Sequence, residues 1–86
     1  MGNWIGRLTI KHLLTADDSE ENAIETGKAV ASIIRSSAWF KRGDADTKYD
    51  LGNIADDFED VQDVHEFNEV LDALYDLADM ERVWIA

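Results

Sequence analysis

The apolar residues between Ile54 and Ala78 do not share one helical face, and this phase break constrains the fold more than any other feature. At 100° per residue, Ile54, Phe58 and Val61 cluster near 0°, whereas Phe67, Val70, Leu71, Leu74, Leu77 and Ala78 centre near about 210°. A continuous helix would have to turn its buried face by roughly 150° within one turn. Two helices with a break between them satisfy both faces. Asp63, with Glu66 three residues later, supplies capping-box spacing at that break. The pattern predicts a short helix over about 53–61, capped by Asp50 or Asn53, and a longer one over about 64–79.

Upstream, residues 4–14 alternate as a strand does, with Trp4, Leu8, Ile10 and Leu14 on one side and Arg7, Thr9 and Lys11 on the other. His12 falls on the apolar side, as a packed or edge histidine. Asp18 and Glu21 have the spacing of a capping box, and Ala23, Ile24, Gly27, Val30, Ala31, Ile34 and Ala38 then recur at helical spacing. These signals predict a helix over about 18–39, with Gly27 permitting close approach to a sheet or another helix and Lys28 and Arg35 on its solvated flank. Residues 40–50 read as a loop or short irregular hairpin turned by Gly43 and its neighbouring Asp residues. A β-prone run over 82–85 closes the chain, and its natural partner is the N-terminal strand. The expected fold is a single α+β domain over 1–86: a short two-stranded antiparallel sheet from about 4–14 and 82–85, packed by three helices. An all-helical bundle with extended termini is the alternative. A core this small gains from association, so a homodimer is compatible with the chain.

Charge is divided unevenly. Residues 1–49 hold seven acids and seven bases, whereas residues 50–81 hold twelve acids and no Lys or Arg. The formal charge of −11 therefore sits after residue 49, where Arg82 is the one base. Salt adaptation would spread acids over the whole surface; this asymmetry points to one specialised face. Asp56, Asp57, Glu59, Asp60 and Asp63 lie opposite Ile54, Phe58 and Val61. Glu66, Glu69, Asp72, Asp76 and Asp79 belong to the next helix, where the last four fall at i, i+3, i+7 and i+10 opposite its core side. Successive members of such a stripe rise roughly 4.5–6 Å along a helix axis. That is of the same order as phosphate spacing along a nucleic-acid strand, about 3.4 Å per nucleotide before tilt. Carboxylates so held can stand where phosphates would stand against Lys and Arg. A purely solvated surface is the competing reading. It does not explain why like charges at i,i+4, each pair costing a few tenths of a kcal/mol, are kept without admixed Lys.

Signatures of catalysis are missing. The chain has no Cys, which removes thiolate nucleophiles and zinc sites and suits a reducing cytosol. No Gly-rich phosphate loop, nucleophile elbow or HExxH pair occurs. Asp44, Asp46, Lys48 and Asp50 alternate like calcium ligands, but Tyr49 and Ala55 stand where an EF-hand loop needs Gly and Glu. His65 with Glu69 at i+4 lacks a second His. Arg42-Gly43-Asp44 spells an adhesion tripeptide too short to support an extracellular reading. The N-terminus lacks the uninterrupted apolar run of a signal peptide, and nothing approaches a membrane span. Tyr75, Trp84 and Trp39 are candidate interface anchors, with Trp4 and one of the other two tryptophans expected in the core.

In size, acidity, lack of Cys and Pro, and absence of catalytic motifs, the chain resembles small phage-encoded inhibitors of host defence. It is most similar in character to the acidic anti-CRISPR and DNA-mimic proteins, chiefly through residues 50–81. The resemblance implies a protein that occupies the nucleic-acid groove of a nuclease or DNA-binding complex. The expectation is therefore a cytoplasmic, non-enzymatic inhibitor without cofactor or metal. Its partner is a Lys/Arg-rich protein surface, with no direct contact to nucleic acid or membrane. The alternative is a small oligomeric structural or regulatory module whose acids only keep it soluble.

Overall fold

Among the described residues, four helices build most of the structure, and the sheet is one pair of three-residue strands. A computed structural model of the chain describes residues 6–13 and 20–86. The order is β1 (Gly6–Leu8), a 3-10 turn (Lys11–Leu13), α1 (Glu20–Ser36), α2 (Ala38–Arg42), α3 (Ala45–Glu59), α4 (Val64–Glu81) and β2 (Val83–Ile85). Among the described residues of the expected strand over 4–14, Gly6–Leu8 alone are strand, and exposed His12 sits in the turn beyond them. Trp4, Leu14 and Asp18 lie outside the described residues.

The expected antiparallel sheet is wrong. β1 and β2 run parallel, with Gly6 opposite Val83, Arg7 opposite Trp84 and Leu8 opposite Ile85. An antiparallel pair is imposed only by a tight connection, whereas a long helical crossover admits the parallel direction, and four helices intervene here. The ladder continues one step further: Ala86 N–H donates to Leu8 O, and Ala86 O accepts from the N–H groups of Ile10 and Lys11 at 2.8 and 2.7 Å. Arg82, in the left-handed region at φ 58° and ψ 47°, ends α4 and redirects the chain into β2. The described chain is mostly helical, a small α+β fold with a minimal parallel sheet in place of the expected antiparallel one.

Two helix boundaries also differ. The helix expected over 18–39 stops at Ser36, because the Ser37 hydroxyl donates to Ile34 O and accepts from Phe40 N–H, capping a separate α2. The expected loop over 40–50 is mostly helix. The Asp44 side chain accepts from Thr47 N–H at 2.9 Å and starts α3 eight residues before the expected 53. Asp50 and Asn53, expected as caps, lie inside α3 and are exposed. Thr47, Leu51, Ala55 and Phe58 form the buried stripe of α3, so its first two turns are carried by Thr47 and Leu51 alone.

The break predicted after Val61 is present. α3 ends at Glu59, Val61 is buried, and the Asp63 side chain accepts from Glu66 N–H to open α4. The Glu66 carboxylate reaches back to Gln62 N–H at 2.9 Å, one residue before the usual capping-box donor. The two faces meet in the core, where the rings of Phe58 and Phe67 lie 5.5 Å apart at 59°. Around them pack Leu8, Ile10, Val30, Ile34, Leu51, Leu74, Val83 and Ile85. Each such side chain contributes about 1.5–3 kcal/mol by leaving water. Gly27 permits the close approach expected of it: a Cβ there would lie 2.4 Å from Phe58 O. α1 therefore presses against the C-terminal end of α3, the end that carries the acids.

Candidate docking face

The carboxylates named from the sequence fall into three groups once the helices are placed. Asp56 and Glu59 project from α3 towards Arg35 of α1, whose Nη2 contacts Asp56 Oδ1 and whose Nη1 contacts Glu59 Oε1. One guanidinium thus bridges two acids spaced i,i+3. The hydrogen bond to Glu59, seconded by the charges of Glu59 and Asp56, raises the Arg35 pKa above its ordinary value. Arg35 was expected on a solvated flank; the packing at Gly27 instead brings it to the acids.

Asp63 and Glu66 form the second group. Both are half-buried and spend oxygens on backbone N–H groups at the start of α4. The third group is Asp57, Asp60, Glu69, Asp72, Asp76 and Asp79, all exposed. Of these, Glu69 meets only the exposed His65, at 3.2 Å within one helix turn. No cation among the described residues forms an ion pair with the other five.

The two stripes join across the break. Asp57 and Asp60 from the end of α3 and Glu66 and Glu69 from the start of α4 line one groove of about 270 Å³, floored by Val61 and Val70. From Glu69 the stripe continues along α4 to Asp79, a rise of roughly 15 Å at 1.5 Å per residue. The result is a single carboxylate track, with Arg35 neutralising its flank on the α1 side.

Helix electrostatics do not account for the acids at the C-terminal ends of α3 and α4. Negative charge is favourable at a helix N-terminus and unfavourable at the C-terminus, by about 0.3–1 kcal/mol per charge. Neither α3 nor α4 has a base in its last turn, yet Asp56, Asp57 and Glu59 crowd the end of α3 and Asp79 the end of α4. Glu81, also in the last turn of α4, serves the packing instead. Its Oε1 accepts from Trp39 Nε1 at 3.1 Å and from the Thr47 hydroxyl at 2.8 Å. That one carboxylate ties α2, α3 and α4 together. Nothing in the sequence marks this trio, whose members are 34 and 42 residues apart.

Of the candidate anchors, Trp39 is half-buried by that contact, whereas Tyr75 and Trp84 stay exposed. They share a groove of about 370 Å³ with Asp76, Asp79 and Lys11, at the far end of the carboxylate track. On β1, Arg7 lies over the Trp84 ring, its Cζ 5.0 Å from the centroid. No helix among the described residues is long and apolar enough to cross a membrane. Comparison with protein-family models, characterised proteins and solved structures gives no match.

Proposed function

We propose that this chain is a non-enzymatic binding protein whose carboxylate track docks on a Lys/Arg-rich protein surface, a nucleic-acid-binding site, and blocks it. One observation supports the reading: Asp57, Asp60, Glu69, Asp72, Asp76 and Asp79 continue across the α3–α4 break, and no Lys or Arg among the described residues forms an ion pair with them. Asp57, Asp60 and Asp79 lie at helix C-terminal ends, where negative charge costs stability that a merely soluble surface would avoid. In size and charge this is the behaviour of the acidic anti-CRISPR and DNA-mimic inhibitors that the chain resembles, acting in the cytoplasm of a host cell if phage-encoded.

The test is capture from a bacterial lysate at low and high salt, followed by competition with duplex DNA. The expected partners bind nucleic acid, are released by salt and are displaced by DNA. The triple variant Glu69→Gln, Asp72→Asn, Asp76→Asn should lose them chiefly through a slower association rate. Capture that ignores both salt and the triple change would end the proposal.

A second reading, the oligomeric module, is favoured by Tyr49 and Met80, 71% and 80% exposed. Sedimentation at two protein concentrations separates them: a monomeric blocker keeps one sedimentation coefficient, and a self-assembling module does not.

A further inference from the structure

We infer that the groove between α4 and β2 is a receptor for a single arginine side chain of the partner, with Tyr75 and Trp84 as its aromatic walls and Asp76 and Asp79 as its acceptors. The inference rests on the docking face proposed above and names the anchor within it.

Two arrangements inside the molecule show the chemistry. Arg35 is gripped by Asp56 and Glu59, an i,i+3 pair of carboxylates that takes one guanidinium nitrogen each. Asp76 and Asp79 repeat that spacing on α4, exposed and in no ion pair with a described cation. The second arrangement is Arg7 stacked over Trp84, which shows the indole acting as a platform for a guanidinium. Arg7 lies outside the groove lining and Trp84 within it, so the same ring borders the Asp76–Asp79 pair. The Trp84 ring thus borders the carboxylate fork, with one of its faces already taken by Arg7.

The platform is held rigidly. Val83 and Ile85 are 2% and 4% exposed, so the alternation of a strand projects Trp84 outward, 46% exposed. Tyr75 sits one turn before Asp79 on α4, 37% exposed. An arginine is preferred to a lysine because the planar guanidinium both stacks on an aromatic face and forks between two carboxylates. Lys11 lines the same groove and makes no ion pair with either acid, so it opposes an incoming cation by like charge.

The experiment titrates the full chain with acetyl-(Gly-Arg)₃-amide and its lysine counterpart at low salt, following tryptophan indole and backbone amide resonances by NMR. The arginine peptide should shift the Trp84 indole and the amides around Asp76–Asp79, binding about threefold more tightly than the lysine peptide. The double variant Asp76→Asn, Asp79→Asn should weaken it about fivefold or more. Trp84→Leu should remove the arginine preference, and Lys11→Ala should strengthen binding about twofold. Lys11→Ala is a gain, so loss of folding cannot mimic it. Equal binding of both peptides with an unmoved Trp84 indole overturns the anchor. If shifts then gather at Asp57, Asp60 and Glu69, the broader face survives without it. Absence of any binding at low salt removes both.

Discussion

Gly27 shows how one missing side chain decides the position of two helices. In the interior of an exposed helix, Gly→Ala gains up to about 1 kcal/mol of propensity. Here the added Cβ would stand 2.4 Å from a backbone carbonyl that cannot rotate away, and overpacking of this kind costs about 1–3 kcal/mol. Gly27→Ala should therefore destabilise by about 1–2 kcal/mol in urea unfolding, opposite in sign to the propensity expectation. Glu81 is the other residue on which several elements depend. Replacing it by Ala leaves the Trp39 indole N–H and the buried Thr47 hydroxyl without their acceptor. The cost should be about 1–3 kcal/mol, and Glu81→Gln, which keeps a carbonyl oxygen there, should restore most of it in the same measurement.

At the scale of elements, legibility followed the apolar spacing. The phase of Ile54, Phe58 and Val61 against Phe67, Leu71 and Leu74 located the break after Val61 and the start of α4, because two buried faces cannot share one helix. The same logic missed the first half of α3. There the buried positions are Thr47 and Leu51, and a threonine gives no apolar signal; its burial depends on Glu81, far away in the chain. Asp44 reads from the sequence as a turn former, not as a helix cap, although its bond from Thr47 N–H makes it the cap and holds its carboxyl below the ordinary carboxylate range. A depressed folded pKa adds stability above the unfolded value, about 3.9, and loses it as pH falls through the folded one. The stability gap between the native chain and Asp44→Ala should therefore be widest above about pH 4 and narrow below it, measured by thermal melts across pH. Of the ten candidate acids, spacing alone could not separate those held by Arg35 or spent on caps from those left open, since that division depends on how α1 crosses α3. Arg35→Gln tests it. With a side chain 36% exposed, the ion pairs should cost at most about 1 kcal/mol to lose. Freeing Asp56 and Glu59 should nonetheless raise the association rate with a polyarginine probe in stopped-flow at low salt.

For the whole molecule, the charge of −11 acts on stability as well as on binding. Like charges gathered along one track repel in the folded state more than in the expanded chain, and salt screens that repulsion within a Debye length of about 10 Å at 0.1 M. Thermal stability should rise as salt is increased from about 10 mM to about 500 mM, while association with a basic partner weakens over the same range; calorimetry and binding at matched salt would check the pair of trends. The direction of the terminal strands was the part of the architecture least open to sequence reasoning. Gly6–Leu8 and Val83–Ile85 are each too short to carry an orientation signal, and only the assembled helices decide it. That direction governs how the molecule bears mechanical load. Tension applied at Gly6 and Ala86 pulls the two parallel strands past each other along their length, so the Leu8, Ile10 and Lys11 bonds to Ala86 are strained together rather than peeled open in turn. The pair is a shear clamp across the first and last described residues, where the expected antiparallel sheet would have been a zipper.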